Sequence, residues 1–488
     1  MSNWDTYAAG GGPSAVFMQQ LLSNLTRVKK ESLSQIEGDT ASSWQVSSDG
    51  KTYTFKLNKN VVWSDGKPFT SADVLYNFKR AADPKFSYNN GRVELVDTVD
   101  APDPYTLTVT LKRPSNSFLP NTSTPFMLMY PAHITDMATW RSSPVGTGPF
   151  VFKGYDKGVS YTYRRNPNYY LKDAAGQQLP YLDGIDYHII TDKAFALAAF
   201  RTGKLDCGCG YDQDFIAEAV DQLKKDIPGI KLWTYYSFVQ SLQFNLTRPP
   251  FNNVAFRQAV AIGFDKEKVA ATYRGGTSFR SGSPLIPSEL GGQWGLPKSE
   301  LAKIPGYNPD HSVDLALAQQ KFRESGIDPK SVNVELMHSP YVGDAGALLA
   351  TVLSEIGLKV TPKLAQPADS TKRLLDGAFD IWHLTPGPAI DDPADHYAQL
   401  VTASGRENFG KYASQRVDRL LQDQDSEIDA VKRRAMLWEV QRIHLTEFPT
   451  APMYYAALVV GTQPYVFGYQ RTANVHSSLR LESVWLSR

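Results

Sequence analysis

Two neighbouring stretches, Trp44-Gln45-Val46-Ser47-Ser48-Asp49-Gly50-Lys51-Thr52-Tyr53-Thr54-Phe55 and Val62-Trp63-Ser64-Asp65-Gly66-Lys67-Pro68-Phe69-Thr70-Ser71-Ala72-Asp73-Val74, hold a turn, a strand, a second turn and a helix start. Ser48-Asp49-Gly50 is turn chemistry. Behind it Tyr53, Phe55 and Leu57 alternate with Thr52, Thr54 and Lys56, which predicts a half-buried strand. Thr70 and Asp73 have capping-box spacing, and Val74, Leu75 and Phe78 fall on one face of the helix that follows.

The same alternation of strand and helix continues outward. Leu107, Val109 and Leu111 alternate with threonines after the turn Ala101-Pro102-Asp103-Pro104. Val332, Val334 and Leu336 predict a strand, a helix follows to Ile356 with Gly357 as its C-cap, and Leu358 and Val360 open the next strand. That βαβ order implies parallel pairing. Met436, Leu437, Val440 and Ile443 mark a long amphipathic helix that stops before Pro449, and the apolar run Met453–Gly461 reads as a buried strand. The fold class is α/β.

With 488 residues the chain exceeds one ordinary core and fits two or three packed units. Formal charge is +1, and lysines and arginines are interleaved with acids throughout, so the basic face that a nucleic-acid binder needs is not expected. No run nears the roughly 20 apolar residues of a membrane span. Met1-Ser2-Asn3-Trp4-Asp5 has no secretory-signal character, so any export signal is expected to have been removed or never to have been there. Cys207 and Cys209, the only two cysteines, flank Gly208. A disulfide across one residue is strained and no zinc-type spacing is nearby, so two thiols are expected, with a tight disulfide or a metal site as alternatives.

In these words the chain resembles the family 5 extracellular solute-binding proteins, the oligopeptide, dipeptide and nickel binders of ABC importers. The resemblance rests on Trp44–Phe55 and Val62–Val74, on Val145-Gly146-Thr147-Gly148-Pro149-Phe150 and on Asn166-Pro167-Asn168-Tyr169-Tyr170. It continues through Phe244–Val254 with Arg257-Gln258-Ala259, and through Tyr307-Asn308-Pro309 ahead of Glu324-Ser325-Gly326. Six words in the family's order cover nearly the whole chain. Most are turn chemistry, Gly66, Gly146 and Gly148 being read as residues that admit positive φ.

The resemblance implies a two-lobed periplasmic-binding-protein-like fold of type II with two hinge strands. Residues 1–30, 145–240 and 456–488 are expected as the core of lobe one, 31–144 as its extra subdomain, and 241–455 as lobe two. Hinges are expected near Ser241–Asn245 and Tyr454–Leu458. The implied protein is a monomer outside the cytoplasm, periplasmic or extracellular, held at the membrane by its permease or a removed lipid anchor. Its implied partners are an ABC permease and a small-molecule ligand, an oligopeptide first, with an oligosaccharide, an opine or a metal chelate as alternatives; no cofactor is expected. Two departures stand out. The family's opening strand has no counterpart before Asn3-Trp4-Asp5. Aligning Asp392-Pro393 with the family's acidic-Pro pair leaves Ala389 where peptide binders hold an aspartate for the ligand's ammonium, with Asp391 close by.

The ligand-binding candidates are Trp382, His383, Asp391 and Asp392 on the wall of lobe two, and Trp294 on a Gly-rich loop. Tyr235, Tyr236 and Phe238 before the first hinge join them, as do Cys209 and Tyr211 beyond the Gly203–Asp206 turn. A hydrolase using Asp391, Asp392 and Asp395 is the rival class. Adjacent carboxylates on a turn point apart, whereas glycosidase pairs face one another about 5 to 9 Å apart, and no nucleophile elbow, P-loop or metalloprotease motif occurs. No catalytic or metal-binding residue is expected.

Overall fold

The two quoted stretches adopt the elements read from them. In the computed structural model, which describes residues 5–7, 12–85, 87, 90–208, 219–273, 279–280, 284–339, 345–385, 387–471 and 479–488, the chain divides into two units, Met1–Tyr235 with Val459–Arg488, and Tyr236–Leu458. The chain passes between units twice, each time inside a long strand.

In the first unit a short helix α1, Gly12–Leu21, precedes β1 (Ala41–Val46) and β2 (Thr52–Leu57). Helix α2 (Ser71–Ala82), β3 (Val96–Asp103) and β4 (Thr106–Leu111) follow, and the antiparallel sheet runs β1-β2-β4-β3. Tyr53, Phe55 and Leu57 are buried, as are Leu107, Val109 and Leu111 on the neighbouring strand, where Val109 lies opposite Tyr53 and Leu107 opposite Phe55. The Asp73 carboxylate accepts from the Thr70 N–H at 2.9 Å, closing the first turn of α2. A second sheet, β5 (Phe150–Asp156), β6 (Ser160–Arg165) and β7 (Gly184–His188), joins the first around one aromatic core that includes Phe55, Trp63, Phe150 and Tyr163.

Gly146 and Gly148 correct the turn reading. Gly66 has φ +88°, as a positive-φ turn requires, but the two glycines of the Gly-Thr-Gly word do not lie in that region. They are glycine because the backbone of α1 passes against them. A Cβ on Gly146 would stand 2.0 Å from the Leu21 carbonyl oxygen, and one on Gly148 would stand 2.7 Å from that of Gln20.

The second unit is built on β8 (Lys231–Phe244), helices α3 (Val254–Gly263) and α4 (His311–Ser325), β9 (Asn333–His338), α5 (Ala345–Glu355) and β10 (Lys359–Leu364). It is completed by β11 (Ile381–Leu384), α6 (Ala430–Glu447) and β12 (Thr450–Thr462). Strand order is β12-β8-β11-β9-β10. The expected βαβ unit is β9-α5-β10, paired in parallel from Asn333↔Lys359 to His338↔Leu364. Strand β11 lies parallel to β9 and antiparallel to β8. Apolar residues fill both faces. Leu242, Phe244, Leu336 and Ile381 pack under α3, α4 and α5, while Met337, Trp382 and Leu384 pack with Leu437 and Val440 of α6. Strand β12 is buried at every position.

Candidate functional site

Open α/β sheets place ligands outside the carboxyl ends of their parallel strands. In the second unit those ends carry His338, the last residue of β9, and His383, the next to last of β11, and the chain leaving β11 carries Asp391 and Asp392.

Asp391 is the pivot of this region. Its Oδ2 accepts from the Gln293 N–H at 2.8 Å, and its carbonyl accepts from the Trp294 indole Nε1 at 3.1 Å. The 385–395 segment is thereby tied to the Gly-rich loop that carries Trp294. No ion pair reaches the Asp391 carboxyl among the described residues. Burial pushes its pKa up to about 7, the Gln293 N–H pulling against that and the neighbouring Asp392 charge adding to it. Tyr455 of β12 is fully buried near it, its hydroxyl without a hydrogen-bond partner among the described residues.

Asp392 is held differently. Its Oδ2 accepts from Arg433 of α6 at 3.0 Å, both side chains being buried, and its Oδ1 accepts from the Ala394 N–H. Arg433 also donates to Gln424 and lies over the Trp294 ring, 4.3 Å from its centre. Gln441, on the same helix, donates to the Trp294 carbonyl and accepts from the Leu296 N–H. Trp294 therefore has its edge on Asp391, one face on Arg433 and its backbone on Gln441. Sequence reasoning selected Trp294, Asp391 and Asp392 and missed Arg433, Gln441 and Tyr455. The helical face read from Met436, Leu437, Val440 and Ile443 hid Arg433, which sits a turn earlier.

His383 is 1% exposed and neither ring nitrogen has a hydrogen-bond partner among the described residues. Burial, with His338 adding to it, pushes its pKa down to about 3, so the ring is neutral. Trp382 projects to the opposite face of the sheet, into the α6 side of the core. The paired carboxylates of the hydrolase rival have separate tasks. Asp392 holds Arg433, and Asp395 accepts from the Ala389 N–H at 2.6 Å. The same region holds an ion pair between His396 and Glu407 at 3.1 Å.

The other candidates are scattered. Tyr235 belongs to the first unit, where Arg471 lies 4.8 Å from its ring centre and donates to its hydroxyl at 3.2 Å. Tyr236 and Phe238 belong to the second unit and are half-buried. Cys209 and Tyr211 lie outside the described residues. Cys207 is disulfide-bonded, which overturns the expectation of thiols: strain lowers a short loop's preference for the bond without forbidding it. Cys207 lines a cavity of about 350 Å³ in the first unit with Lys204, His188 and Tyr469.

The model of the bacterial extracellular solute-binding proteins, family 5, matches residues 35–408, most of the chain. The chain belongs to that family. Among curated relatives of this family 5 protein is heme-binding protein A of Haemophilus influenzae. It is 27% identical over 492 residues, a match spanning 92% of this chain and 84% of that protein. Di/tripeptide-binding protein 1 of Pseudomonas aeruginosa is 25% identical over 465 residues, spanning 89% and 83%. The solved PBP AgaA of A. tumefaciens R10, in complex with agropinic acid, superposes with TM-score 0.85 at 22% identity, covering 100% of this chain and 97% of that one. The fold is accordingly the mixed α/β, two-lobed one of periplasmic binding proteins, and the family 5 member is a substrate-binding protein of an ABC importer. No described helix is long and apolar enough to cross a membrane.

Proposed function

We propose that this family 5 protein captures a peptide through its free amino end, outside the cytoplasmic membrane, and delivers it to an ABC permease. The observation that carries this reading is Asp391, a buried carboxyl served by a single backbone N–H and without a paired cation among the described residues. Burying a carboxylate unpaired is expensive, and an incoming ammonium at that oxygen would remove the cost. Asp392 is unsuited to the task because Arg433 already neutralises it. A peptide-binding relative of similar length supports the class.

The aromatic candidates favour the peptide over a sugar. Trp294 is engaged on its edge and one face, and Trp382 is packed in the core on the α6 side, so neither is an open stacking platform.

Thermal-shift and calorimetric titration with di- to pentapeptides, their N-acetylated forms and cello-oligosaccharides tests the proposal. Free peptides should raise the melting temperature, and N-acetylation should remove most of the effect. Response to sugars alone, or equal response to acetylated and free peptides, would overturn it.

A further inference from the structure

Three side chains at the carboxyl end of the second unit's sheet hold polar atoms with no hydrogen-bond partner among the described residues. His383 is opposite Leu242 on β8, so His383 and Leu242 share a face, and Gln240, two residues before Leu242, shares it too. The β9–β11 register runs Leu336↔Ile381 and Met337↔Trp382, which brings His338 level with His383 on the same face. Gln240, His383 and His338 thus form a strip across three adjacent strands. They are 3%, 1% and 9% exposed. Among the described residues, Gln240 Oε1, both His383 nitrogens and His338 Nδ1 lack hydrogen-bond partners.

Buried polar atoms are nearly always paired, and each exception calls for a cause. Here four orphans from three residues adjoin at the one place in an open sheet where ligands dock. The strip is also fixed in position. A Cβ on Gly346, the second residue of α5, would stand 2.4 Å from His338 Nε2, so that ring rests directly on the helix start.

The chemistry of the strip is restricted. A glutamine oxygen only accepts. A neutral imidazole donates from one nitrogen and accepts at the other. The Gln240 oxygen and the neutral His383 ring fit a group that both donates and accepts a hydrogen bond while itself uncharged. We propose that the strip is a subsite of the second unit that binds an amide of the ligand, the amide N–H donating to Gln240 Oε1 and its C=O accepting from the His383 ring N–H. This rests on the peptide reading and adds to it. Asp391 takes the charged end, and the separate strip takes a backbone amide. A sugar hydroxyl shares the donor-and-acceptor pattern, and the experiment separates the two.

The probes are tri-alanine, the depsipeptide in which an ester oxygen replaces one amide N–H, and cellotriose. They are titrated calorimetrically into the wild-type protein and Gln240→Leu, with Gln240→Met as a second variant should the first fold poorly. Circular dichroism establishes that the ligand-free variants are folded. In wild type one ester position should weaken binding about five- to tenfold, the effect of a lost neutral hydrogen bond. In the variant the ratio of amide to ester affinity should fall close to one. Tri-alanine binding with the ratio unchanged in Gln240→Leu and Gln240→Met overturns the subsite and leaves the peptide reading intact. Absence of tri-alanine binding to wild type, with cellotriose binding weakened by Gln240→Leu, overturns the peptide reading and the amide assignment together.

Discussion

The guanidinium of Arg433 lies 4.3 Å from the centre of the Trp294 ring while donating to Asp392 at 3.0 Å. One arginine on α6 thereby fixes two segments far apart in sequence, the Gly-rich loop and the strand-exit turn that presents Asp391.

Arg433→Met should destabilise the protein by about 3 to 5 kcal/mol, because Asp392 would be left buried without its cation. Adding Asp392→Asn should recover part of the loss, since the two sites couple. Urea melts of the single and double variants measure it. Equal stability of the single variant and the wild type would mean that solvent reaches Asp392.

Gly148→Ala should cost about 2 to 3 kcal/mol, as overpacking against a fixed backbone does. The new methyl would meet the Gln20 and Leu21 carbonyl oxygens of α1. Gly158→Ala is the contrast. Its φ of +76° strains any L side chain, but nothing lies within 4 Å of an added Cβ, so only about 1 kcal/mol is expected. Thermal melts of both variants should rank them in that order.

The pair His396–Glu407 should shape stability against pH from both sides. Burial opposes the charge on His396, yet Glu407 outweighs it and the pKa is raised; burial likewise opposes the charge on Glu407, and His396 brings its pKa down. The histidine's contribution is complete below its unfolded value near 6.5 and fades as pH rises through the raised folded value. The glutamate's is complete above its unfolded value near 4.3 and fades as pH falls through the lowered one. Stability from this pair is therefore greatest between about pH 5 and 6.5. Glu407→Gln should cost about 1 kcal/mol in that window and flatten both flanks, read from denaturant melts across pH 3 to 9.

Much of the scaffold was legible because local rules and tertiary packing agree there. Alternation at Tyr53, Phe55 and Leu57, the Thr70–Asp73 box and the Gly357 stop are local signals, and each element formed where they pointed. The Gly146 and Gly148 reading went astray because the constraint there comes from Leu21, more than a hundred residues away. The site was half legible for the same reason. Asp391 and Asp392 look alike in sequence, and their difference is made by Arg433, whose approach depends on how α6 crosses the sheet. Gln240 is another case. It lies in an apolar strand pattern, and only the pairing of β8 with β11 sets it beside His383.

Asp391 supplies the sharpest pH test. Its carboxyl rises from an ordinary value of 3.8 to about 7 in the folded, ligand-free protein. Between those values the folded state holds a proton that the unfolded chain releases, so this group's contribution to stability is full below about pH 4 and declines until about pH 7. The whole decline amounts to roughly 4 kcal/mol, at 1.36 kcal/mol per pKa unit. Asp391→Asn should remove that slope and leave the ligand-free protein more stable than wild type at pH 8. Ligand binding should show the opposite trend. An ammonium beside the carboxyl favours its ionised form, so capture at pH 6 must expel a proton, while capture at pH 8 expels almost none. Affinity for a free-amino peptide should therefore rise about tenfold between pH 5 and pH 6, and level off above 7. Calorimetry of tri-alanine binding in two buffers of different ionisation heat counts the proton directly. In Asp391→Asn the released proton should vanish and affinity should drop by about 2 kcal/mol or more. A peptide that binds with no proton release at pH 6, and equally well to Asp391→Asn, is held somewhere else.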